Sequence, residues 1–328
     1  MIYTTYTQFF PPKPTFTEEN LPSQKGKVFM VTGGNSGIGY ELCKILYGSG
    51  ATVYMATRSE QRAAEAIQTI TRSAPSSEGT LKFIHLDLDD LNTVKAAAAA
   101  FAAQESKLDV LWNNAGLSAF RFASDARTTQ GFEPMMGMHC IATLLFTQLL
   151  KPQLQAAVKA SPGSPGSVRV LWTASISLDG SSPPNGIEFD LLETGGKDPT
   201  RNYGASKAGS WILAREMARR WGADGITIAC LNPGNVKSNG YTGAPNRVMF
   251  VLKRLLSETK SGAYTELFAG LSPDVKNGDY VIPFGRIRTD KECPRQDIVK
   301  AITPEEEGGL GYCKKFWNWC EEQYKPFI

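Results

Sequence analysis

A short apolar run ends in a cluster of glycines near residue 33, and a helical pattern follows directly. The run is KVFMVT at 27–32, and the helical pattern extends to about residue 47. Glycines let the backbone approach a phosphate closely, and the start of the following helix offers unpaired N–H groups and a positive dipole end. This order predicts a phosphate-binding βα unit, with an ordinary tight turn as the alternative. The glycines are Gly33, Gly34, Gly37 and Gly39.

Short β-branched runs alternate with helical patterns along most of the chain. The runs cover 27–32, 51–57, 81–88, 108–114, 167–173 and 226–232. Helical patterns cover 37–47, 61–72, 91–104 and 143–159. This alternation predicts an α/β fold, a single doubly wound Rossmann domain over 25–328 with a parallel sheet of about seven strands.

Composition excludes several functional classes. With 35 basic and 32 acidic residues, the net charge of +3 is too small for a nucleic-acid-binding surface. Six cysteines without a C-x-x-C pair indicate a reducing compartment rather than a disulfide framework. Two histidines make a zinc site or a Ser-His-Asp hydrolase a poor match, so we expect no metal and a small-molecule partner.

The two ends of the chain differ from its centre. Residues 1–24 carry four prolines and lack the apolar core of a signal peptide, so they are interpreted as an N-terminal arm. Because no run of about eighteen apolar residues occurs, we expect a cytoplasmic protein without a membrane span. Residues 286–328 form the predicted C-terminal tail, in which 316–322 has the pattern of an amphipathic helix that docks on the body. A homo-oligomer contact stays open.

Four motifs in order resemble those of the short-chain dehydrogenase/reductase family. The resemblance covers about residues 25–285, and it is greatest to the retinol-dehydrogenase-like branch and its filamentous-fungal members. The motifs are Thr32-Gly33-x-x-x-Gly37-Ile38-Gly39, Asn113-Asn114-Ala115-Gly116, Tyr203-x-x-x-Lys207 and Asn232-Pro233-Gly234.

The resemblance implies a nicotinamide dinucleotide bound along the carboxyl ends of the strands. Asp87 with Leu88 would contact the adenine amino group, although Asp87 could instead cap the helix starting near Leu91. Asn114 and Gly116 would lie against the ribose. The full set of expected cofactor-binding residues is Gly33, Asn35, Ser36, Gly37, Ile38, Gly39, Thr57, Arg58, Asp87, Leu88, Asn114, Ala115, Gly116, Tyr203, Lys207, Pro233, Gly234 and Val236.

Arg58 decides the expected cofactor. An NAD enzyme usually places an acidic residue after the second strand, but this chain has none before Glu60. The Arg58 guanidinium can pair with a 2′-phosphate, with Thr57 and Ser59 as further donors, which predicts NADP(H). The alternative is that Arg58 is a solvated residue capping the next helix.

Tyr203 and Lys207 are the expected acid/base pair. Reduction of a carbonyl builds negative charge on oxygen, so a proton donor is needed beside it. A free tyrosine, with a pKa of about 10, is poorly matched to neutral pH. Lys207 lies one helical turn later on the same face, where its ammonium favours the ionised phenol. Ser175 resembles the catalytic serine that bonds the substrate oxygen, and Ser177 is its rival.

His139 departs from the family pattern. The family usually has an asparagine there that holds a water in the proton relay to the lysine. A histidine could carry out that relay, and His139 is therefore included among the catalytic candidates. The other interpretation is a buried, neutral histidine satisfied by backbone groups.

Residues 237–265 follow the last motif, where a substrate lid is expected, and Tyr241, Met249 and Phe250 suggest an apolar substrate. The same aromatics could simply pack on a helix at 251–256. The leading hypothesis is an NADPH-dependent reductase that acts on a ketone or aldehyde, or that catalyses the reverse alcohol oxidation. A secondary metabolite would be a compatible substrate. The rival is a redox-silent NADP(H)-binding sensor or a cyclase on the same fold.

Overall fold

The computed structural model describes residues 2–117, 122, 125–161, 163–237 and 256–328. Its centre is a twisted sheet of eight strands in the order β3-β2-β1-β4-β5-β6-β7-β8. Strands β1 to β7 pair in parallel, and β8 pairs antiparallel with β7. The strands are β1 Val28–Thr32, β2 Thr52–Thr57, β3 Thr80–His85, β4 Val110–Asn113, β5 Val168–Thr173, β6 Ile226–Leu231, β7 Tyr280–Ile282 and β8 Arg286–Arg288.

Helices cover both faces of the sheet, which confirms the doubly wound Rossmann prediction. The central strands are buried on both sides, and so they appear in the sequence as continuous apolar runs. The helices are α1 Ile2–Phe9, α2 Gly37–Gly48, α3 Glu60–Ser73, α4 Leu91–Ala102, α5 Pro134–Met136, α6 Thr143–Leu149, α7 Lys151–Ala160, α8 Ser177–Gly180, α9 Pro199–Trp221, α10 Thr259–Leu271, α11 Gln296–Ile302 and α12 Tyr312–Tyr324, and a π-helical turn, Gly137–Ala142, joins α5 to α6.

Two apolar cores lie on opposite faces of the sheet. One packs α2, α3 and α10 against the strands, and the other packs α4, α6, α9 and α12. The predicted helix at 143–159 is two helices in the structure, with a break at Leu150 and a proline, Pro152, in the first turn of α7. The predicted C-terminal helix is present and buries Phe316, Trp317 and Cys320.

The N-terminal arm begins with a helix, α1. In α1, Thr4, Thr7 and Gln8 are buried against the body. The Arg286 guanidinium donates to both the hydroxyl and the carbonyl oxygen of Thr7, each at 2.8 Å. This polar contact fixes α1 near the carboxyl ends of the central strands.

The lid expected at 237–265 lies mostly outside the described residues, since the structure describes Lys237 and then resumes at residue 256. Tyr241, Met249, Phe250 and most of the helix at 251–256 fall in that gap. Within the described chain, no helix combines the length and apolar character needed to cross a bilayer.

Candidate active site

A cavity of about 400 Å³ opens at the carboxyl ends of the parallel strands. Ligands bind at this edge in open α/β sheets. Of the predicted site residues, those lining the cavity are Gly33, Asn35, Ser36, Gly37, Ile38, Thr57, Arg58, Asp87, Leu88, Asn114, Ala115, Gly116, Ser175, Tyr203, Lys207, Pro233, Gly234 and Val236. Gly39 and His139 lie behind this lining.

The glycine turn forms one end of the cavity. Gly37 has a φ of 57°, which favours glycine, and starts α2. Ser36, the residue before this helix, makes no side-chain capping hydrogen bond. The first N–H groups of α2 therefore face the cavity side and suit a phosphate anion.

Gly39 acts through close packing. A methyl group at Gly39 would lie 2.6 Å from the Gly33 carbonyl oxygen and 2.7 Å from Asn114 Nδ2. No side chain fits there without moving the backbone. Gly39 thus brings α2 close to the strand end but does not line the cavity.

Arg58 stands at the opposite end, beyond β2. Its side chain is 57% exposed, and its Nε lies 3.8 Å from Asp87 Oδ2. Ser59, not Arg58, caps α3, because the Ser59 hydroxyl accepts from Arg62 N. The guanidinium is therefore not held as a helix cap. Arg62, which is also exposed, lines the same cavity.

Asp87 is not the cap of α4 either. Asp90 takes that position and accepts from Asn92 N at 3.0 Å, whereas Asp87 Oδ1 accepts from Asp89 N at 3.1 Å. The helix-capping alternative for Asp87 is thus not what the structure contains. Asp87 and Leu88 both line the cavity beside Arg58.

The Asn113-Asn114-Ala115-Gly116 segment is fastened to β1. Asn114 Nδ2 donates to the Thr32 carbonyl at 2.8 Å, and Ala115 N donates to the Thr32 hydroxyl at 2.9 Å. A methyl group at Gly116 would lie 3.2 Å from both His139 Nε2 and Lys207 Nζ. A side chain at this position would therefore push on His139 or Lys207, which a glycine avoids.

Tyr203 and Lys207 lie one turn apart near the start of α9 and both line the cavity. The Lys207 ammonium lies 5.7 Å from the centre of the Tyr203 ring and donates to the Thr173 carbonyl at 3.0 Å. Lys207 is only 4% exposed, and this burial lowers its pKa to about 8. The lysine can therefore hold a positive charge against the tyrosine at neutral pH.

Both candidate serines line the cavity. The Ser175 hydroxyl oxygen accepts from Ser177 N at 3.2 Å and lies 3.3 Å from Ser177 Oγ. Ser175 therefore makes the local turn bond expected of an ordinary turn serine and still faces the site. Because both serines lie in the same wall of the cavity, both remain candidates for the substrate-bonding serine.

Comparison with known proteins agrees with these motifs. The family model described as short chain dehydrogenase matches residues 27–165. The chain is 48% identical over its full length to the short-chain dehydrogenase/reductase iacJ of Pestalotiopsis fici, of which 99% is covered. It is 40% identical, again over its full length, to bet4 of Neocamarosporium betae, of which 94% is covered. The chain belongs to the short-chain dehydrogenase/reductase family.

These relatives confirm two predictions from the sequence: that the chain belongs to this oxidoreductase family, and that it is similar to filamentous-fungal members. Solved structures of the same fold include an L-sorbose reductase from Gluconobacter frateurii complexed with NADPH and L-sorbose. That structure superposes with a TM-score of 0.62 at 18% identity, covering 80% of this chain and 97% of the other. At this identity the likeness supports the fold alone.

His139 is where this member of the short-chain dehydrogenase/reductase family departs from the expected asparagine. It lies in the π-helical turn and is 3% exposed. Leu117 N donates to its Nε2 at 3.2 Å, and its Nδ1 lies 2.9 Å from Ser206 Oγ. Burial and the nearby Lys207 hold the pKa of His139 well below its usual value. The ring is thus neutral and bonded at both nitrogens.

A buried carboxyl group lies near Lys207 and was not predicted from the sequence. Glu266 of α10 is fully buried, and the Thr173 hydroxyl donates to its Oε1 at 2.8 Å. Thr173 is also the residue whose carbonyl accepts from Lys207. Burial raises the pKa of Glu266 to about 8. A single acidic residue within a helix offers no pattern by which this position could have been found.

Other lining residues were also missed. The missed residues are Ala56, Leu86, Leu117, Met138, Thr173, Ala174, Ile176, Thr200, Asn232 and Asn235. Six of these ten residues are apolar, and two of the six, Ala56 and Leu86, directly precede the predicted residues Thr57 and Asp87. Asn232 begins the fourth motif, but it was not among the expected site residues. Among the described residues, no three histidine, cysteine or acidic side chains cluster as metal ligands would.

Proposed function

We propose that this short-chain dehydrogenase/reductase is an NADPH-dependent reductase of a ketone or aldehyde carbonyl, able to catalyse the reverse alcohol oxidation. One observation carries the proposal: Tyr203 and Lys207 face the same cavity that begins at the start of α2. An anion site and an acid/base pair in one cavity suit a dinucleotide and a carbonyl side by side.

The preference for NADPH rests on Arg58. Its guanidinium is exposed on the cavity wall beyond β2, and it does not cap α3. A 2′-phosphate placed there would receive charge-assisted hydrogen bonds, which a bare ribose hydroxyl could not match. Since cells keep NADPH mostly reduced, reduction is the proposed direction.

The chain's own residues supply the proton chemistry. When bound, the cofactor would supply the hydride for the carbonyl carbon. Tyr203 gives its phenolic proton to the substrate oxygen as negative charge develops there. The Lys207 ammonium stabilises the phenolate that remains, while a hydroxyl of Ser175 or Ser177 donates to the substrate oxygen. The carbonyl of Thr173 fixes the ammonium by accepting its hydrogen bond.

The substrate is proposed to be fairly apolar. Leu117, Met138 and Ile176 line the same cavity as Tyr203. These side chains offer no charge to a ligand, so an apolar carbonyl compound fits better than a charged one. A role in secondary metabolism is part of the proposal, as is a cytoplasmic location.

The test mixes the protein with NADPH and a panel of apolar ketones and aldehydes while the loss of NADPH absorbance is followed. Turnover with at least one compound is expected. Tyr203→Phe should reduce turnover by about 10²–10⁴-fold, because only the proton donor is lost, while NADPH binding is retained. Tight cofactor binding without turnover across the panel would contradict the proposal and favour a redox-silent sensor or a cyclase.

A further inference from the structure

Gln8 of the N-terminal helix touches both turns that flank the proposed nicotinamide end of the cavity. Its side-chain oxygen accepts from Asn232 Nδ2 at 3.0 Å. Its side-chain nitrogen donates to Asp179 Oδ2 at 3.5 Å. Asn232 begins the turn after β6, and Asp179 lies in α8, directly after the candidate serines. One glutamine thus joins two cavity walls that are more than fifty residues apart in the chain.

The hydrogen bonds form a chain with one direction. Gly234 N donates to Asn232 Oδ1 at 3.0 Å, Asn232 donates to Gln8, and Gln8 donates to Asp179. A carboxylate can only accept, so Asp179 fixes the orientation of the Gln8 amide. That orientation in turn fixes the amide of Asn232, which holds the backbone of Gly234.

The last acceptor in this series of hydrogen bonds, Asp179, is itself held by a buried ion pair. Asp179 Oδ2 pairs with Arg288 Nη1 at 2.6 Å, and the two side chains are 8% and 1% exposed. Gln8 and Asn232 are 1% and 2% exposed. Buried polar groups of this kind are costly to leave without partners, so the network holds a single arrangement.

The turn that receives this support has a special backbone. Gly234 has a φ of 96°, and a methyl group added there would lie 3.1 Å from Pro283. Behind the turn the protein is thus closely packed, and in front of it lies the cavity, which Pro233 and Gly234 both line. A shift of the Asn232 side chain would therefore move backbone toward the cofactor space.

We infer that Gln8 is a positioning residue that holds the Asn232-Pro233-Gly234 turn and the α8 turn at the spacing the nicotinamide end of the cofactor requires. The inference rests on the proposed function and extends it to the N-terminal helix. It assigns a role in the active site to a segment whose described residues do not line the cavity.

The helix itself does not depend on Gln8 for its position. Arg286 holds Thr7 through two hydrogen bonds, and Thr4 is buried in the same face. A Gln8→Met variant keeps the length and burial of the side chain while removing its hydrogen bonds. We therefore expect this variant to fold with α1 docked. Tyr6→Ala is the matched control, since Tyr6 lies on the same helix and is 59% exposed.

The experiment compares two ligands for each protein. NADPH fills both ends of the cavity, whereas 2′,5′-ADP carries the adenosine and its 2′-phosphate but no nicotinamide. Gln8→Met should weaken NADPH binding about fivefold, as expected if the unsupported turn holds the binding arrangement only about one-fifth of the time, and leave 2′,5′-ADP binding within about twofold. With an active carbonyl substrate, kcat should fall as well. Tyr6→Ala should match the wild type with both ligands.

Each remaining outcome decides against a stated claim. If Gln8→Met binds both ligands like the wild type, Gln8 has no positioning role and the inference fails alone. If the variant weakens both ligands equally, the change acts on the whole fold and the inference also fails. A wild-type protein that binds neither NADPH nor NADH overturns the proposed function and this inference together. If NADH binds instead, the comparison is made between NADH and ADP-ribose, with the same expectations.

Discussion

The imidazole Nδ1 of His139 lies 2.9 Å from the hydroxyl oxygen of Ser206. Ser206 donates its own proton to the Tyr203 carbonyl at 2.9 Å, so it must accept from His139. The other ring nitrogen accepts from Leu117 N. These bonds assign the proton of a neutral ring to Nδ1. His139 thereby ties the turn after β4 to the first turns of α9, where Tyr203 lies.

His139→Asn is expected to retain most of the reductase turnover. The geometry favours a neutral imidazole that orients its neighbours over one that carries protons, and an asparagine can also donate and accept. The measurement is kcat across pH 5.5–8 for both proteins. Since the pKa of His139 lies well below its ordinary value, the wild-type profile should show no transition that the variant lacks. Total loss of turnover in a folded variant would show that the imidazole has a task of its own.

Arg58→Leu should convert the cofactor preference. Loss of charge-assisted hydrogen bonds to a 2′-phosphate is expected to weaken NADPH binding about 10–100-fold and to leave NADH binding nearly unchanged. Titration of each cofactor by fluorescence measures this. Arg62→Leu is the control, since Arg62 is exposed on the same cavity wall. Equal weakening of both cofactors, or an equal effect of Arg62→Leu, would refute a specific role for Arg58.

The fold could be predicted because buried parallel strands leave an unambiguous pattern. Each of the six predicted apolar runs overlaps one of the strands β1 to β6, and five of the runs contain the whole strand, while β3 begins at Thr80, one residue before its run. Most of the predicted site residues lie directly after the ends of these strands. Because the cavity opens at those ends, the sequence predicted most of the residues that line it. Strands β7 and β8 have three residues each, too few for a periodic pattern.

Helix α1 and Glu266 are two unpredicted parts of the structure around the cavity, and both contribute isolated polar groups. Helix α1 turns Thr4, Thr7 and Gln8 toward the body, so its buried face carries no hydrophobic periodicity. Glu266 comes close to Lys207 only because α10 and α9 pack on opposite faces of the same strand end. Long-range placements of this kind follow from tertiary structure and have no local signature.

Lys207→Met should make the cofactor-free protein more stable while abolishing turnover. Burial lowers the pKa of Lys207 from its ordinary 10.5 to about 8, so the folded state opposes the charge that the unfolded chain carries. Relief of this penalty, less the cost of a Thr173 carbonyl without its donor, is worth about 2 kcal/mol at pH 7. Urea unfolding at pH 7 and pH 10 measures it.

The lowered pKa of Lys207 also determines how the free energy of unfolding changes with pH. Between pH 8 and 10.5 the unfolded lysine binds a proton that the folded one has lost, so wild-type stability rises with pH across this window. The advantage of the methionine variant should therefore be largest below pH 8 and shrink by pH 10. A variant less stable than the wild type at pH 7 would show that the buried ammonium stabilises the fold.

Glu266→Gln tests the buried acid on the other side of Thr173. Burial raises the pKa of Glu266 from its ordinary 4.5 to about 8, and its Oε2 has no hydrogen-bond partner among the described residues. Between pH 4.5 and 8 the folded state keeps a proton that the unfolded chain has released. This contribution therefore lowers wild-type stability as pH rises through that window. Glutamine cannot titrate and still offers an oxygen to the Thr173 hydroxyl.

The stability of Glu266→Gln relative to the wild type should consequently increase from pH 5 to pH 8, by about 3 kcal/mol. Urea unfolding of both proteins at three or four pH values measures the difference. Glu258→Gln is the matched control, because Glu258 is an exposed acid at the start of the same helix. Parallel stability curves for Glu266→Gln and the wild type would mean that Glu266 is ionised in the fold. Its charge would then be a permanent partner of the Lys207 ammonium across the Thr173 strand end.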